Sequence, residues 1–440
     1  MFRNIYLHLS AWARQKEKRK VLLIRGARQV GKTYAIRELG KNFKHFVEIN
    51  FEEDKQTHAF FQDSLNPVTI AEKLSVYSGT PIRPGETLLF FDEIQSCPNA
   101  LRSLRFFYEK MPELNVAAAG SLLEFALAAL PSFGVGRIRS LFMYPLCFEE
   151  FLIAMGEEKL IDEIKNATAT RPLLVPFHQK LINYLKIFQI IGGLPEVVAS
   201  YLADKDIQQC FLLHDDIITT YRDDFAKYKK NASALRLNEV FSAVMQQAGS
   251  KFNYSRITAN ASTRPLKDAL MLLIQAGLVY PIYHTAARGV PIGAQLNPKK
   301  FKLIPFDMGI YQRLSGLDLK TYMTSNDIDL INKGSLAEIC AGLELIHSQP
   351  VTRKAELFYW HREARGSNAE IDYLLALGQQ IIPLEVKAGT KGQMQSMHLF
   401  MRERECRAGW RVSLENYAQI NGIKVLPLYA LNIFLKILNK

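Results

Sequence analysis

Eight residues, Gly26-Ala27-Arg28-Gln29-Val30-Gly31-Lys32-Thr33, stand between a short apolar run, Val21 to Ile24, and a helix-like segment. This spacing of glycines, lysine and threonine restricts the fold more than any other feature of the chain. The glycines let the backbone wrap tightly, so N–H groups converge on a phosphate, and the helix that follows adds its positive end. The apolar run before the loop reads as a buried strand. Strand, loop and helix together place the region in the α/β class. Gly26 to Thr33 are expected to cradle a nucleotide, with Lys32 on the β- and γ-phosphates and Thr33 on Mg2+.

A phosphate loop needs a metal-binding acid on a neighbouring strand. The segment "ETLLFFDEIQ" supplies one, because Thr87 to Phe91 form an apolar strand ending in Asp92 and Glu93. Asp92 is expected to hold Mg2+ through water and Glu93 to orient and deprotonate the attacking water. The plainer alternative makes Glu93 a cap for the next helix. A further strand, "LNVAAAGS", ends at Ser121, which is placed either to touch the γ-phosphate or to cap a helix. Arg137, after Gly136, is the candidate arginine finger, in its own subunit or a neighbouring one. Arg139 is the runner-up, and an ion pair with Glu149 or Glu150 is the alternative role.

Near the other end, "AEIDYLLALGQQIIPLEVKAG" reads as a hairpin turning at Gly378-Gln379. Counting outward sets Asp372 opposite Glu385 and Glu370 opposite Lys387, all on one face. Ile371, Tyr373, Leu375, Ile382, Leu384 and Val386 fill the other. Two facing carboxylates repel unless a cation lies between them. Asp372 and Glu385 as metal ligands, with Lys387 beside them, suit a Mg2+ site that activates water. An acid followed about a dozen residues later by E-x-K also fits the PD-(D/E)xK nuclease core, and "GSLAEICAGLELI" adds Glu338 from a preceding helix. E-x-K itself is a weak signal, since it recurs at Glu53/Lys55, Glu157/Lys159 and Glu163/Lys165. The alternative is a retained scaffold whose charges bind a partner or steady a sheet.

Between these regions, residues 153–232 read as helical, broken at Gly192-Gly193-Leu194-Pro195, the expected hinge of a lid. Asp215, Asp216, Asp223 and Asp224 fall on changing helix faces and read as solvated. Residues 233–316 read as three short helices and a hairpin, the layout of a winged helix. Arg264 and Lys267, with Lys299, Lys300 and Lys302 on the wing, would face DNA; a protein-interaction module is the alternative.

The net charge of +12 and a pI near 9.3 favour a polyanionic partner, or serve solubility alone. The basic residues cluster in "RQKEKRK", in Lys227–Lys230 and in Pro298–Lys302. The five cysteines, Cys97, Cys147, Cys210, Cys340 and Cys406, show no paired spacing, which fits a reducing cytoplasm. The first residues are too polar for a signal peptide, and no apolar run is long enough to span a bilayer.

The segments "GARQVGKT", "LLFFDEIQ", "AGS", "GRIRSLFMYPLCFEEFL", "GGLPEVV" and "TYRDDF" occur in the order of a widespread prokaryotic family. The chain resembles AAA-type ATPases that carry a C-terminal domain of unknown function, a group similar to the STAND/MNS branch of P-loop ATPases. The likeness spans nearly the whole chain. It implies ATP binding by Gly31, Lys32 and Thr33, and metal and water handling by Asp92 and Glu93. The loop before Arg137 departs from it, with Ser132 and Phe133 preceding Gly134, Val135 and Gly136 where many members read closer to "LAGR".

The expected architecture is an α/β AAA-type P-loop core over 1–152, a helical lid over 153–232, a winged helix over 233–316 and a restriction-nuclease-like α/β domain over 325–440. The expected function is ATP hydrolysis with Mg2+, gating action on DNA through a C-terminal metal site. The alternative is a nucleotide-controlled switch that binds DNA or a protein, as a single chain or a homo-oligomer.

Overall fold

The computed structural model describes residues 1–15, 17, 19–121, 123, 127, 136–228, 232–257, 262–316, 334–364, 368–387 and 394–438. Lys16, Lys18, Lys229 and Lys230 of the basic clusters, the segment 131–135 before Arg137, and Gly389 lie outside them. The chain divides into two compact units. The first is Met1–Pro145 with Gln275–Gly277 and Pro350–Lys354; the second is Leu146–Ile274, Leu278–Gln349 and Ala355–Lys440.

The first unit is built on five strands: β1 (Val21–Arg25), β2 (His45–Asn50), β3 (Thr87–Asp92), β4 (Asn115–Ala119) and β5 (Ile138–Phe142). They form one parallel sheet in the order β2-β3-β4-β1-β5. All of β3 and β4 and the first four residues of β1 are buried. Such strands carry no polar face and need helices on both sides, which is why they read as continuous apolar runs. On one side Leu23, Leu89, Phe91 and Ala118 pack with Leu101, Leu104 and Phe107 of the helix Pro98–Lys110. Each large side chain buried there contributes roughly 1.5–3 kcal/mol. With all strands parallel, the loops after β1, β3 and β4 emerge at the same edge.

The second unit opens with helices Phe148–Ala154, Glu158–Asn166, Val175–Ile191, Pro195–Asp204 and Ile207–Asp224. The Gly192-Gly193 break is a closely packed joint. Gly192 has φ +70°, and a Cβ on Gly193 would stand 2.2 Å from the Leu146 carbonyl oxygen. The Gly193 N–H donates to Asp307 Oδ2 at 2.7 Å, and Pro195 starts the next helix.

Helices Ala234–Gln246 and Thr263–Gln275, with a short turn at Tyr254–Arg256, precede the hairpin of β6 (Val279–Thr285) and β7 (Leu296–Pro305). This is the element order read as a winged helix. The hairpin is not free, however. Strand β8 (Leu357–His361) pairs with β6, and β9 (Glu370–Ile371) pairs with β8, giving the sheet β7-β6-β8-β9. The second sheet, β10-β11-β12-β14-β13, contains β10 (Tyr373–Leu377), β11 (Gln380–Val386), β12 (Gly409–Ser413), β13 (Ala418–Ile420) and β14 (Ile423–Pro427).

The β10–β11 turn has the predicted register, Leu377 opposite Gln380, with Gly378 at φ +59°. Helices Gly334–His347 and Gln395–Glu403 follow the expected order. Among the described residues no helix is long and apolar enough to cross a membrane. All five cysteines are free thiols.

Candidate functional site

The loop between β1 and the helix Lys32–Gly40 has three residues at positive φ: Gly26 at 149°, Gln29 at 61° and Gly31 at 92°. A Cβ on Gly26 would lie 2.1 Å from the Met143 carbonyl oxygen, so the loop passes where only glycine fits. Ala27 and Val30 are buried beneath it. Arg3, itself buried, donates from Nη1 to the Val30 carbonyl at 3.0 Å and from Nη2 to the Tyr144 carbonyl at 2.5 Å. This brace on the loop was missed in the sequence, where Arg3 is one cation among several in an N-terminal segment. Lys32 is buried, and its Nζ donates to the carbonyls of Gly26 (3.1 Å) and Ala27 (2.6 Å). Burial lowers its pKa to about 8, with Glu93 and Asp92 pulling the other way, so it keeps its charge at neutral pH.

Asp92 lies at the end of β3, with β4 between it and β1, so it is not on the strand adjacent to the loop. Thr33 nonetheless bridges the gap: its Oγ1 donates to Asp92 Oδ2 at 2.8 Å. Asp92 is 4% exposed, and burial raises its pKa to about 6 against the Thr33 hydrogen bond. A hydroxyl and a carboxylate are hard oxygen donors, the set that suits Mg2+.

Glu93 follows at φ 45°, a left-handed conformation unusual for glutamate. Its Oε2 accepts from Gln95 Nε2 (2.5 Å) and from the N–H (3.3 Å) and Oγ (3.1 Å) of Ser121. Arg28 Nε in turn donates to Ser121 Oγ at 3.3 Å. Ser121 thus sits just past β4, between loop and acid, holding Glu93. Gln95 was missed; its only sequence signal is its place two residues after Glu93. A Cβ on Gly120 would lie 2.0 Å from Gln95 Oε1, which accounts for the glycine before Ser121.

Arg137 goes elsewhere. The Val21 N–H donates to its carbonyl, and Val21 pairs with Ile138, so Arg137 stands at the start of β1 while the phosphate loop leaves its end. Four strand steps separate these ends by about 13 Å. Its Nε pairs with Glu109 Oε1 at 2.6 Å. The finger expected within the same subunit is therefore corrected: a parallel β5 delivers Arg137 to the wrong edge. Arg139, opposite Leu22 and exposed, shares that end.

In the second unit the Val386 N–H donates to Asp372 Oδ2 at 2.8 Å, which sets Asp372 beside Glu385. Lys387 Nζ pairs with Glu385 Oε1 at 2.5 Å, and Glu385 Oε2 is buried without a hydrogen-bond partner. Glu370 does not face Lys387. The strand divides at Asp372, so Glu370 pairs with His361 in the other sheet. Its carboxylate meets Lys302 at 2.5 Å and Lys251 at 3.1 Å.

Lys302, expected on an exposed wing, is 3% exposed. Its Nζ also lies 3.6 Å from Glu338 and 3.9 Å from Asp372. Burial, with Asp372 close by, pushes Glu338 up to about 8; burial also raises Asp372 and Glu385. Burial opposes ionisation of Glu370, but Lys302 and Lys251 outweigh it and hold that carboxyl low. Burial disfavours the Lys302 charge too, yet Glu338, Asp372 and Glu370 hold its pKa above the ordinary value.

Among the described residues, two groups of three or more side chains bring their ligand atoms within 4.8 Å of one another: Cys147/Glu150/His347 and His284/His361/Glu363. Glu338, Asp372 and Glu385 do not form such a group.

Residues 18–152 match the AAA domain family. Residues 182–321 and 333–431 match two domains of unknown function, DUF8612 and DUF4143. No curated protein matches the chain. Similar solved structures include a Walker-type ATPase of Pyrococcus abyssi, at 14% identity over 70% of this chain and 95% of that one, with a TM-score of 0.45. The Aeropyrum pernix ORC1 protein in complex with DNA matches at 12% identity, 72% and 93% coverage and a TM-score of 0.30. Unliganded Pif1 from a Bacteroides species matches at 12%, over 38% of this chain and 50% of that one, with a TM-score of 0.22. Residues 18–152 carry an AAA-type P-loop domain, built on a parallel sheet of the P-loop NTPase kind.

Proposed function

We propose that the chain binds ATP with Mg2+ on Gly26–Thr33 and hydrolyses it. The observation that carries this is the Thr33–Asp92 contact beside the buried Lys32. The metal, when bound, neutralises charge on the β- and γ-phosphates. Lys32 leaves the loop carbonyls for the phosphate oxygens. Thr33 and Asp92 are the residues that would hold the ion. Glu93 takes the proton of the attacking water once it is released from Gln95 and Ser121. Ser121 and Arg28, freed in the same step, are placed to report the γ-phosphate. Arg137 serves only across an interface with another copy of the chain.

The acid range tests this reading. Asp92 titrates near pH 6, so its ionised, metal-binding form is lost as pH falls through that value. At limiting Mg2+, phosphate release is expected to drop roughly tenfold between about pH 7 and pH 5. A flat profile over that range argues against Asp92 as the metal-holding acid.

For the second unit, Lys302 favours binding over cleavage. An ammonium among Glu338, Glu370 and Asp372 already pairs with Glu370 and would repel a Mg2+ ion. The unit then acts as a nucleotide-controlled binding module. The net charge and the exposed Arg264, Lys267 and Lys299 support nucleic acid as its partner. Supercoiled DNA incubated with Mg2+ or Mn2+, with and without ATP, is expected to stay intact with wild type and Glu385→Ala alike. Nicking by wild type that disappears in Glu385→Ala would restore the nuclease reading.

A further inference from the structure

We propose that His284, His361 and Glu363 form a binding site for a borderline divalent transition metal such as Zn2+ or Co2+, separate from the nucleotide site. His284 is the last residue but one of β6 and His361 ends β8; these strands pair in parallel, with His284 opposite Tyr359. Tyr359 and His361 are two apart on one strand, so all three side chains share a face. The two imidazole rings lie with centroids 4.3 Å apart, inclined at 54°.

The hydrogen bonding selects the atoms. His284 Nε2 lies 3.3 Å from the His361 carbonyl oxygen. A carbonyl only accepts, so Nε2 carries the proton and Nδ1 presents a lone pair. A metal-bound histidine is commonly held this way, its other nitrogen donating to a backbone carbonyl. His284 is 3% exposed, and Nδ1 of both His284 and His361 is buried with no hydrogen-bond partner. A buried ring nitrogen without a partner is costly to keep, and with the two rings 4.3 Å apart one cation could satisfy both.

Glu363 completes a set whose ligand atoms lie within 4.8 Å of one another. In a tetrahedral zinc shell the spacing is about 3.4 Å, so binding would draw the three side chains together. Burial, then the charges of Lys251, His284 and Lys300, lower His361 to about 4, and burial lowers His284; both rings are therefore neutral and able to ligate at neutral pH.

Imidazole nitrogen with one carboxylate selects zinc-like ions over Mg2+, which prefers oxygen throughout. Three protein ligands leave a fourth position for water or a group from a partner. Lys300 opposes the ion: its Nζ holds Glu363 at 2.5 Å. The Cys147/Glu150/His347 group is a poorer candidate, because Glu150 already accepts from the Cys147 N–H at 3.2 Å and burial pushes the Cys147 thiol up.

The test is metal titration of the full, chelator-stripped chain without nucleotide, with Zn2+ by calorimetry and Co2+ by absorbance. One ion per chain is expected, with Co2+ bands of nitrogen and oxygen ligation and no thiolate charge-transfer band. His361→Ala is expected to weaken Zn2+ binding about tenfold or more. Glu363→Gln, at an exposed position, should weaken it several-fold without disturbing the fold. Lys300→Ala should tighten it by about three- to tenfold, since a competing charge is removed. The proposal is overturned if wild type binds no stoichiometric ion, if a thiolate band appears, or if Glu363→Gln and Lys300→Ala both leave the affinity unchanged.

Discussion

Glu93→Gln is expected to keep ATP and lose turnover. Glutamine has the shape of glutamate and can still accept from Gln95 and Ser121, so the ground-state site should survive. It cannot take a proton from water. Removing a general base costs typically about 10²–10⁴ in rate, and phosphate release in a single turnover should fall by that factor. ATP affinity should stay within about threefold, because Lys32, Thr33 and Asp92 make the phosphate and metal contacts. A variant that turns over within about threefold of wild type would move the general base to another residue.

Lys302→Met is expected to destabilise the second unit by about 3–5 kcal/mol, the usual cost of removing one partner from a buried charge group. The side chain is 3% exposed and contacts three carboxylates, so no water replaces its charge. The effect should depend on pH in one direction. Glu338, near 8 in the fold against an ordinary 4.5, keeps its proton at neutral pH. As pH rises through about 8 it ionises. In the variant, without Lys302 to favour the ionised form, Glu338 holds its proton to still higher pH; wild type alone gains that ionised contact, so the deficit grows with pH, and toward acid the carboxyls protonate and it shrinks. Denaturant titrations at several pH values measure this. Mg2+ should restore part of the stability in the variant and none in wild type, since only the variant offers an open cage. Equal stability of the two proteins at every pH would mean the cage does not depend on Lys302.

What could be read from sequence differs by range of interaction. Gly26 to Thr33 and Asp92 were legible because their chemistry is set by local spacing and a strand ending. The register that puts Asp372 near Glu385 was legible because one short turn fixes it. Glu370 was not, because period-two counting assumes an unbroken strand, and this one changes sheets at Asp372. Lys302 was read as a wing residue like Lys300, with which it shares strand parity. What separates them is cover: Lys300 is exposed, whereas Lys302 lies against Glu338 and Glu370, far along the chain. The end of the sheet at which Arg137 stands was not legible, since a glycine-rich loop does not say which end of a parallel sheet it enters. The histidine pair was invisible, because its residues meet only through the β6–β8 pairing.

The most direct measurement is calorimetric titration of ATP into wild type and Lys32→Ala, each with and without Mg2+. Wild type should bind one ATP per chain, more tightly with the metal. Lys32→Ala should bind about a hundredfold more weakly, from the loss of about 3 kcal/mol of charge-assisted contact. Unchanged affinity in Lys32→Ala would contradict the assignment of Gly26–Thr33 as the phosphate-binding loop, and with it the proposed ATPase.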